Sequence, residues 1–372
     1  MFQHHIESSV AKGSTCLPNV NKPDNARAIL QRVFEMVSST LRNLYSTTFS
    51  QANSPESALL AVGNNEGKIT VFDLKGVNTS RETGVGERIK GPYQVINAHS
   101  DAVYSMVSTD TFCISGTTGL ISGRRWTDLR KQKTQPAWTI SLECDQANFG
   151  TPEVNGLAYD SIRGLAYAAC GDWRTHVYDL ETGKRSQTLE GHEDYVHDVV
   201  VGGSLVASSG EDGSVLVWDP RAGREPRHRI VPHELEQLAR PNLGRFISSL
   251  DLNNDWLVCG GGPKAGIFHL RSLALTTVLP PAKAAVHVTK FTRNAEGGDR
   301  GGIVVAGILP HLSVCSMAGE VTAQLPSSSP CIYTVSITDK PFTMMTYGGM
   351  STKIDVCFNL NYRDHSVSLL ED

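Results

Sequence analysis

The feature that most constrains this chain is a pattern of strands and turns that recurs along its length. The clearest copy, Gly191–Asp219, reads GHEDYVHDVVVGGSLVASSGEDGSVLVWD: two strands, a tight Glu-Asp-Gly turn, and a third strand that ends in Trp-Asp. Weaker copies with the same order fall at 44–74, 96–128, 154–180 and 246–270. A unit of this size cannot bury its apolar face alone and must stack on its neighbours. The sequence therefore predicts an all-β repeat architecture.

An aromatic residue within an alternating strand ends each of these copies, at spacings of 40 to 54 residues. That period fits a four-stranded propeller blade with added loops. Two degenerate copies follow, at 303–316 and 342–358. We predict a β-propeller of seven blades, or of six or eight if a weak copy is miscounted. The blade-ending aromatics are Phe72, Trp126, Tyr178, Trp218 and Phe268.

The first part of the chain departs from the repeat. Residues 26–43 place apolar side chains at helical spacing and predict an amphipathic helix, docked on the propeller or on a partner. Residues 1–25 are predicted to be a disordered arm, and 44–372 the propeller. The ring can close by borrowing a strand from the N-terminus. Alternatively, Tyr362–Leu370 supplies the outer strand of the last blade.

Composition and motifs argue against several classes of function. The formal net charge is -4, which disfavours electrostatic binding of nucleic acid. The eight cysteines form no CxxC pair, so we expect no metal site and, in the absence of a secretory signal, reduced thiols in an intracellular protein. The longest apolar runs are too short to span a membrane. No cofactor is expected, because the glycine-rich segment 259–263 lacks the Gly-Lys-Ser/Thr of a phosphate-binding loop. Catalytic motifs are also absent, so the sequence does not predict an enzyme or a small-molecule substrate.

The Gly-His and Trp-Asp pairs of the fourth unit resemble the WD40 repeat, so the resemblance implies a WD40 propeller. In that family a buried polar network joins a histidine, a turn aspartate, a strand serine and the tryptophan. Here those residues are His192, Asp212, Ser208 and Trp218, with Ser209 as the alternative serine. A structural role is favoured over a catalytic His–Asp pair because the residues sit in a repeat. In the second unit, His99 and Asp101 echo the pattern without a turn aspartate, so that network should be incomplete.

Stretches outside the repeat motif carry a second resemblance. Segments such as LLAVGNNEGKITVFDL, YSMVSTD and DWLVCGGGP run in order from about residue 44 to the end, and are similar to the THO complex subunit 6 family. The resemblance implies a non-catalytic scaffold in the nucleus. This scaffold would contact other THO subunits, including coiled-coil subunits, in mRNA processing and export, with indirect or weak RNA contact.

A short box supports a competing hypothesis. Trp218-Asp219-Pro220-Arg221 reads WDxR, which resembles the motif of propellers that dock on the adaptor of cullin-4 ubiquitin ligases. Arg221 would then contact the adaptor through charge-assisted hydrogen bonds. In the plainer interpretation, Arg221 opens an ordinary turn after a strand. The sequence alone leaves the ligase substrate receptor as an alternative function.

Overall fold

A computed structural model describes residues 45–75, 89, 91–142, 150–280, 284–292, 301–340 and 342–370. The chain divides into two compact units, Met1–Leu44 and Tyr45–Asp372. The arm and helix predicted at 1–43 lie outside the described residues. Among the described residues of the second unit, twenty-eight strands form seven antiparallel four-stranded sheets, each made of strands consecutive in the chain. The prediction of a seven-bladed β-propeller is confirmed.

The first three blades contain twelve strands. Blade 1 consists of β1 (Thr48–Asn53), β2 (Leu59–Asn64), β3 (Lys68–Asp73) and β4 (Gln94–Asn97). Blade 2 consists of β5 (Ser105–Ser108), β6 (Phe112–Thr117), β7 (Leu120–Arg125) and β8 (Trp138–Ser141). Blade 3 consists of β9 (Val154–Asp160), β10 (Leu165–Cys170), β11 (Thr175–Asp179) and β12 (Lys184–Leu189).

The remaining four blades contain sixteen strands. Blade 4 consists of β13 (Val196–Gly202), β14 (Leu205–Gly210), β15 (Val215–Trp218) and β16 (His228–Ile230). Blade 5 consists of β17 (Ser249–Leu252), β18 (Trp256–Gly261), β19 (Lys264–His269) and β20 (Ala274–Val278). Blade 6 consists of β21 (Val286–Phe291), β22 (Ile303–Gly307), β23 (His311–Cys315) and β24 (Val321–Pro326). Blade 7 consists of β25 (Ile332–Thr338), β26 (Met344–Gly349), β27 (Lys353–Cys357) and β28 (His365–Ser368).

The described helices are short, and one of them corrects a sequence prediction. They are α1 (Trp126–Leu129) and a 3-10 turn at Pro232–Glu234. Trp126 starts α1 instead of ending a strand, so it is not the blade-ending residue. Arg124 holds that position, because it faces Cys113 across blade 2 as Trp218 faces Val206 across blade 4. No described helix is long and apolar enough to cross a membrane.

The core lies between the blades. The described side chains form seven buried apolar clusters, and each joins two neighbouring blades. Strands in the middle of a blade, such as β10, are covered on both faces and read as continuous apolar runs. Outer strands such as β20 alternate between exposed and half-buried residues. The six described cysteines are all buried within this core.

Hydrogen bonds link the inner strands of neighbouring blades. The Ser50 hydroxyl donates to the Val103 carbonyl at 2.9 Å, and Ser105 repeats this contact with Val154 at 2.8 Å one blade further on. The hydroxyl of Ser248 donates to the Val286 carbonyl at 2.7 Å. These contacts fix each blade's angle to the next, since a buried donor left unpaired is costly.

The ring closes where blade 7 meets blade 1. β28 pairs with β27 as the outer strand of blade 7, so of the two alternatives left open by the sequence the structure has the C-terminal segment in this place. Side chains then join the two blades: the Asn53 amide donates to the Ser336 hydroxyl at 2.8 Å, and Thr346 donates to the Gln51 side chain at 2.8 Å. In the part of the chain described, no strand is shared between first and last blades.

The direction of the strands separates two faces of the ring. Because successive strands of a blade are antiparallel, turns between second and third strands share a face with the loops that lead to the next blade. We call this the turn face; Glu211–Ser214 is one of its turns. The remaining loops lie on the opposite face.

Candidate functional site

The four residues of the predicted blade network come together in blade 4. His192 lies 3.1 Å from Asp212 through Nδ1 and 2.8 Å from Ser208 through Nε2. The indole Nε1 of Trp218 donates to the same Ser208 oxygen at 3.0 Å. Burial alone would raise the pKa of Asp212, but its bonds to His192 and to the amide of Ser214 hold it well below its usual range. The aspartate is therefore ionised and holds His192 in one orientation.

The structure distinguishes the two candidate serines. Ser208 and Ser209 are consecutive residues of β14, and both are 0% exposed. The Ser208 hydroxyl bonds both the imidazole and the indole, whereas the Ser209 hydroxyl has no hydrogen-bond partner among the described residues. We propose that Ser208 is the network serine.

Blade 2 holds a modified version of this arrangement. His99 Nε2 lies 2.9 Å from the Ser115 hydroxyl, while its buried Nδ1 has no partner among the described residues. Arg124, in the position of the tryptophan, donates to the Ser122 hydroxyl at 2.9 Å. Burial and the nearby guanidinium of Arg124 lower the pKa of His99 to about 4. Blade 2 therefore combines a neutral histidine with a buried arginine, where blade 4 combines a histidine held by an ionised aspartate with a tryptophan.

Blade 3 gathers three possible metal ligands that the spacing of the sequence did not reveal. Atoms of Cys170, Asp172 and His176 lie within 4.8 Å of one another, and all three residues are buried. His176 Nε2 is 2.8 Å from Asp172, and its Nδ1 is 3.4 Å from the Thr188 hydroxyl. Both imidazole nitrogens thus have protein partners, and Asp172 occupies the turn position of Asp212. This is the pattern of a polar blade network whose histidine comes from a strand instead of a loop.

Arg221 lies in the loop that follows β15. Its guanidinium makes two hydrogen bonds to Asp219, each 3.0 Å long. Arg227 approaches the same carboxylate at 3.9 Å. The hydrogen bonds from Arg221 lower the pKa of Asp219 to about 2. The donors that an adaptor would need are therefore partly engaged within the chain.

A cavity of about 1180 Å³ opens at the centre of the ring on the opposite face. All seven blades contribute to it through the ends of their inner strands and the loops that follow. Its lining holds hydroxyls, amides, four carboxylates and two lysines, but neither histidine nor cysteine. Among the described lining residues we find no nucleophile beside a base, which acyl transfer or hydrolysis would require.

Comparison with known proteins finds the same repeat and the same propeller fold. The family model described as WD domain, G-beta repeat matches residues 183–219, which run from β12 through β15. The chain is 36% identical over 340 residues to THO complex subunit 6 from Homo sapiens, covering 88% of this chain and 94% of that protein. The homologue from Mus musculus has the same identity and coverage. The crystal structure of the WD40 beta propeller domain of Doa1 is similar in fold, with a TM-score of 0.64 at 10% identity, covering 84% of this chain and 92% of that one.

Proposed function

Because this chain belongs to the THO complex subunit 6 family, we propose that it is a non-catalytic scaffold subunit of the THO complex. In this role it mediates protein–protein contacts in mRNA processing and nuclear mRNA export, and it resides in the nucleus. The observation that carries the proposal is the 36% identity to the human subunit across 94% of that protein's length. Similarity of that extent covers most of the chain and not only the repeat motif.

The architecture supports a scaffold. Seven inter-blade clusters and the hydrogen bonds between inner strands make the ring one rigid support for its loops. Loops held on a rigid ring can present several binding surfaces at once, and partners that are linked to one another gain affinity from simultaneous contacts. The polar cavity on the opposite face lacks catalytic pairs among its described residues, which is consistent with a binding role.

RNA contact is proposed to be indirect or weak. Binding of RNA through its phosphates requires a basic surface that displaces counterions. The formal net charge is -4, and the arginines that follow β15 share the carboxylate of Asp219. The complex would then contact RNA chiefly through its other subunits.

The ligase alternative finds no support in this geometry. The Arg221 guanidinium is held by Asp219 through two hydrogen bonds, and docking on an adaptor would have to replace or share them. Such ion pairs at the surface are weak, so the contact does not by itself prevent docking. The contact with Asp219 does account for an arginine at position 221 without requiring a partner protein.

Affinity purification of the tagged chain from nuclear extract, with identification of the bound proteins, tests the proposal. We expect the other THO subunits to be recovered with both the wild-type chain and Arg221→Glu. Recovery of a cullin-4 adaptor by the wild-type chain alone, without THO subunits, would establish the alternative. Recovery of neither set would refute the scaffold assignment.

A further inference from the structure

Exposed apolar side chains are unevenly distributed over the ring. Ten large apolar residues are exposed in the described part of the chain, and six of them lie in loops of the turn face. Two others, Ile162 and Tyr362, lie in loops of the opposite face. The six on the turn face are Tyr45, Trp173, Tyr195, Leu243, Ile308 and Met350. Apolar side chains concentrated on one face mark an interaction surface.

Carboxylates accompany the aromatic residues on blades 2 to 4. Asp101, Glu153 and Asp194 lie in loops of the turn face. Within the described residues, none of these three carboxylates forms an ion pair with a lysine or arginine. The opposite face carries cations such as Arg130, Lys133 and Arg221. On the turn face, Arg174 lies beside Trp173, but it is already paired with Glu190 at 2.9 Å. The negative charge at blades 2 to 4 is thus left for an external cation.

Two of the aromatic rings, those of Tyr104 and Tyr195, lie close to these carboxylates. Tyr104 stacks on Phe49 with ring centroids 6.1 Å apart, and burial together with Asp101 and Glu153 raises the pKa of Tyr104. A Cβ placed on Gly171 would lie 2.5 Å from the Glu153 carboxylate and 3.2 Å from the Tyr195 ring. Both groups therefore flank the same glycine. We call Tyr104, Asp101, Glu153, Trp173 and Tyr195 the acidic aromatic strip.

The backbone of Trp173 adds an independent sign of function. Its φ is +72°, in the left-handed region, and its side chain remains 38% exposed. The same turn position holds Gly67 in blade 1 and Gly213 in blade 4, with φ of +74° and +78°. This conformation is unfavourable for a tryptophan, because its Cβ crowds the neighbouring carbonyl oxygen, whereas glycine adopts it freely. Residues held in such conformations concentrate at binding and active sites.

We infer that the acidic aromatic strip binds a lysine- or arginine-bearing apolar segment of a partner protein. A cation over an aromatic face is stabilised by the ring's negative face, and Glu153 adds a charge-assisted hydrogen bond. The side chains of Trp173 and Tyr195 cover the apolar part of the segment. Nucleic acid is disfavoured, because phosphates would face unpaired carboxylates. This inference deepens the proposed function, because a THO subunit is the expected source of the segment.

Titration with a model peptide tests the strip without any partner. The probe is a fluorescein-labelled 15-residue peptide of leucines and arginines at helical spacing, and the reference is the same peptide with glutamate in place of arginine. We expect the full chain to bind the arginine peptide, with Glu153→Gln and Tyr195→Ala each weakening it about tenfold. The matched variants Glu181→Gln and Ile162→Ala, both on the opposite face, should bind as the wild type does. Equal binding of both peptides, or unchanged binding by the strip variants, would overturn the inference.

Capture of THO subunits separates this inference from the proposed function. Glu153→Arg should reduce the recovery of THO subunits about tenfold or more, while its urea midpoint stays at the wild-type value. Undiminished recovery would refute the strip as the THO contact and leave the scaffold assignment standing. If the wild-type chain recovers no THO subunit, the scaffold assignment fails. The peptide titration still shows whether the strip binds a basic apolar segment. Binding of polyuridine, or self-association in sedimentation, that is lost in Glu153→Gln would identify RNA or a second copy as the occupant and refute our choice.

Discussion

Replacing Ser208 by alanine should destabilise the propeller far more than the same replacement at Ser209. The two residues share a strand, a chemistry and complete burial, and they differ in their contacts. The Ser208 hydroxyl stands between the His192 imidazole at 2.8 Å and the Trp218 indole at 3.0 Å. The Ser209 hydroxyl has no hydrogen-bond partner among the described residues.

The expected magnitude follows from the groups left unpaired. Ser208→Ala leaves one imidazole nitrogen and one indole N–H buried without a partner, at about 1–3 kcal/mol each. We therefore expect a loss of about 2–6 kcal/mol in the free energy of unfolding. Ser209→Ala removes a buried hydroxyl that gains nothing from the fold, and should leave stability unchanged or raise it by up to about 1 kcal/mol.

Urea unfolding, followed by tryptophan fluorescence and far-UV circular dichroism, measures the difference. Trp218→Phe completes a double-mutant cycle, because it removes the indole N–H that Ser208 accepts. The two substitutions should couple by about 1 kcal/mol, as expected for residues in contact. If Ser209→Ala is as damaging as Ser208→Ala, loss of packing sets the cost, and the network argument is wrong.

Three other predictions follow from the described contacts. The pKa of half-buried His99 is lowered to about 4, whereas the histidine of the unfolded chain has its ordinary pKa of 6.5. The unfolded chain therefore binds a proton that the native state does not, and stability should fall as the pH is lowered from 6.5 to 4. His99→Gln should flatten that part of the pH profile of urea midpoints. Burial raises the pKa of Asp198 to about 7, so the native state keeps it protonated and should lose stability as the pH rises from 4 through 7. Asp198→Asn should abolish that loss, and an unchanged slope would exclude Asp198 as its cause. Finally, deletion of 1–40 should leave a cooperative thermal transition, whereas truncation after Asp364 removes β28, uncovers Ile354 and should abolish the transition.

The number of blades was predictable, because turns and period are local in sequence. In blade 4, the glycine of the Glu-Asp-Gly turn is Gly213, and the structure shows it at the positive φ that a tight turn requires. Placing residues within a blade needs the register, which the sequence does not reveal. Choosing the blade-ending residue by its aromatic side chain therefore gave Trp126, although Arg124 holds the position in blade 2 that Trp218 holds in blade 4. One residue beyond the strand was enough to misplace the blade's end.

Contacts between side chains, within a blade and between blades, were beyond the reach of sequence analysis. Asp172 and His176 are close in the chain, but nothing in their spacing says that a strand histidine replaces a loop histidine. The acidic aromatic strip is harder still to foresee, because its members come from loops of blades 2 to 4. Glu153 and Tyr195 meet at Gly171 only once the ring has formed.

Closure by side chains alone has a consequence for how the chain is made. Leu60 and Phe72 of blade 1 share their apolar cluster with Ile354 and Val356 of blade 7. These partners are separated by about 300 residues of synthesis, which takes roughly 15–60 s at typical rates of translation. Throughout that interval the flank of blade 1 faces water or a chaperone, and each new blade adds another open flank at the growing end. The ring is completed only when the last blade leaves the ribosome, so the final stretch of the message determines whether the first stretch of the protein is ever covered.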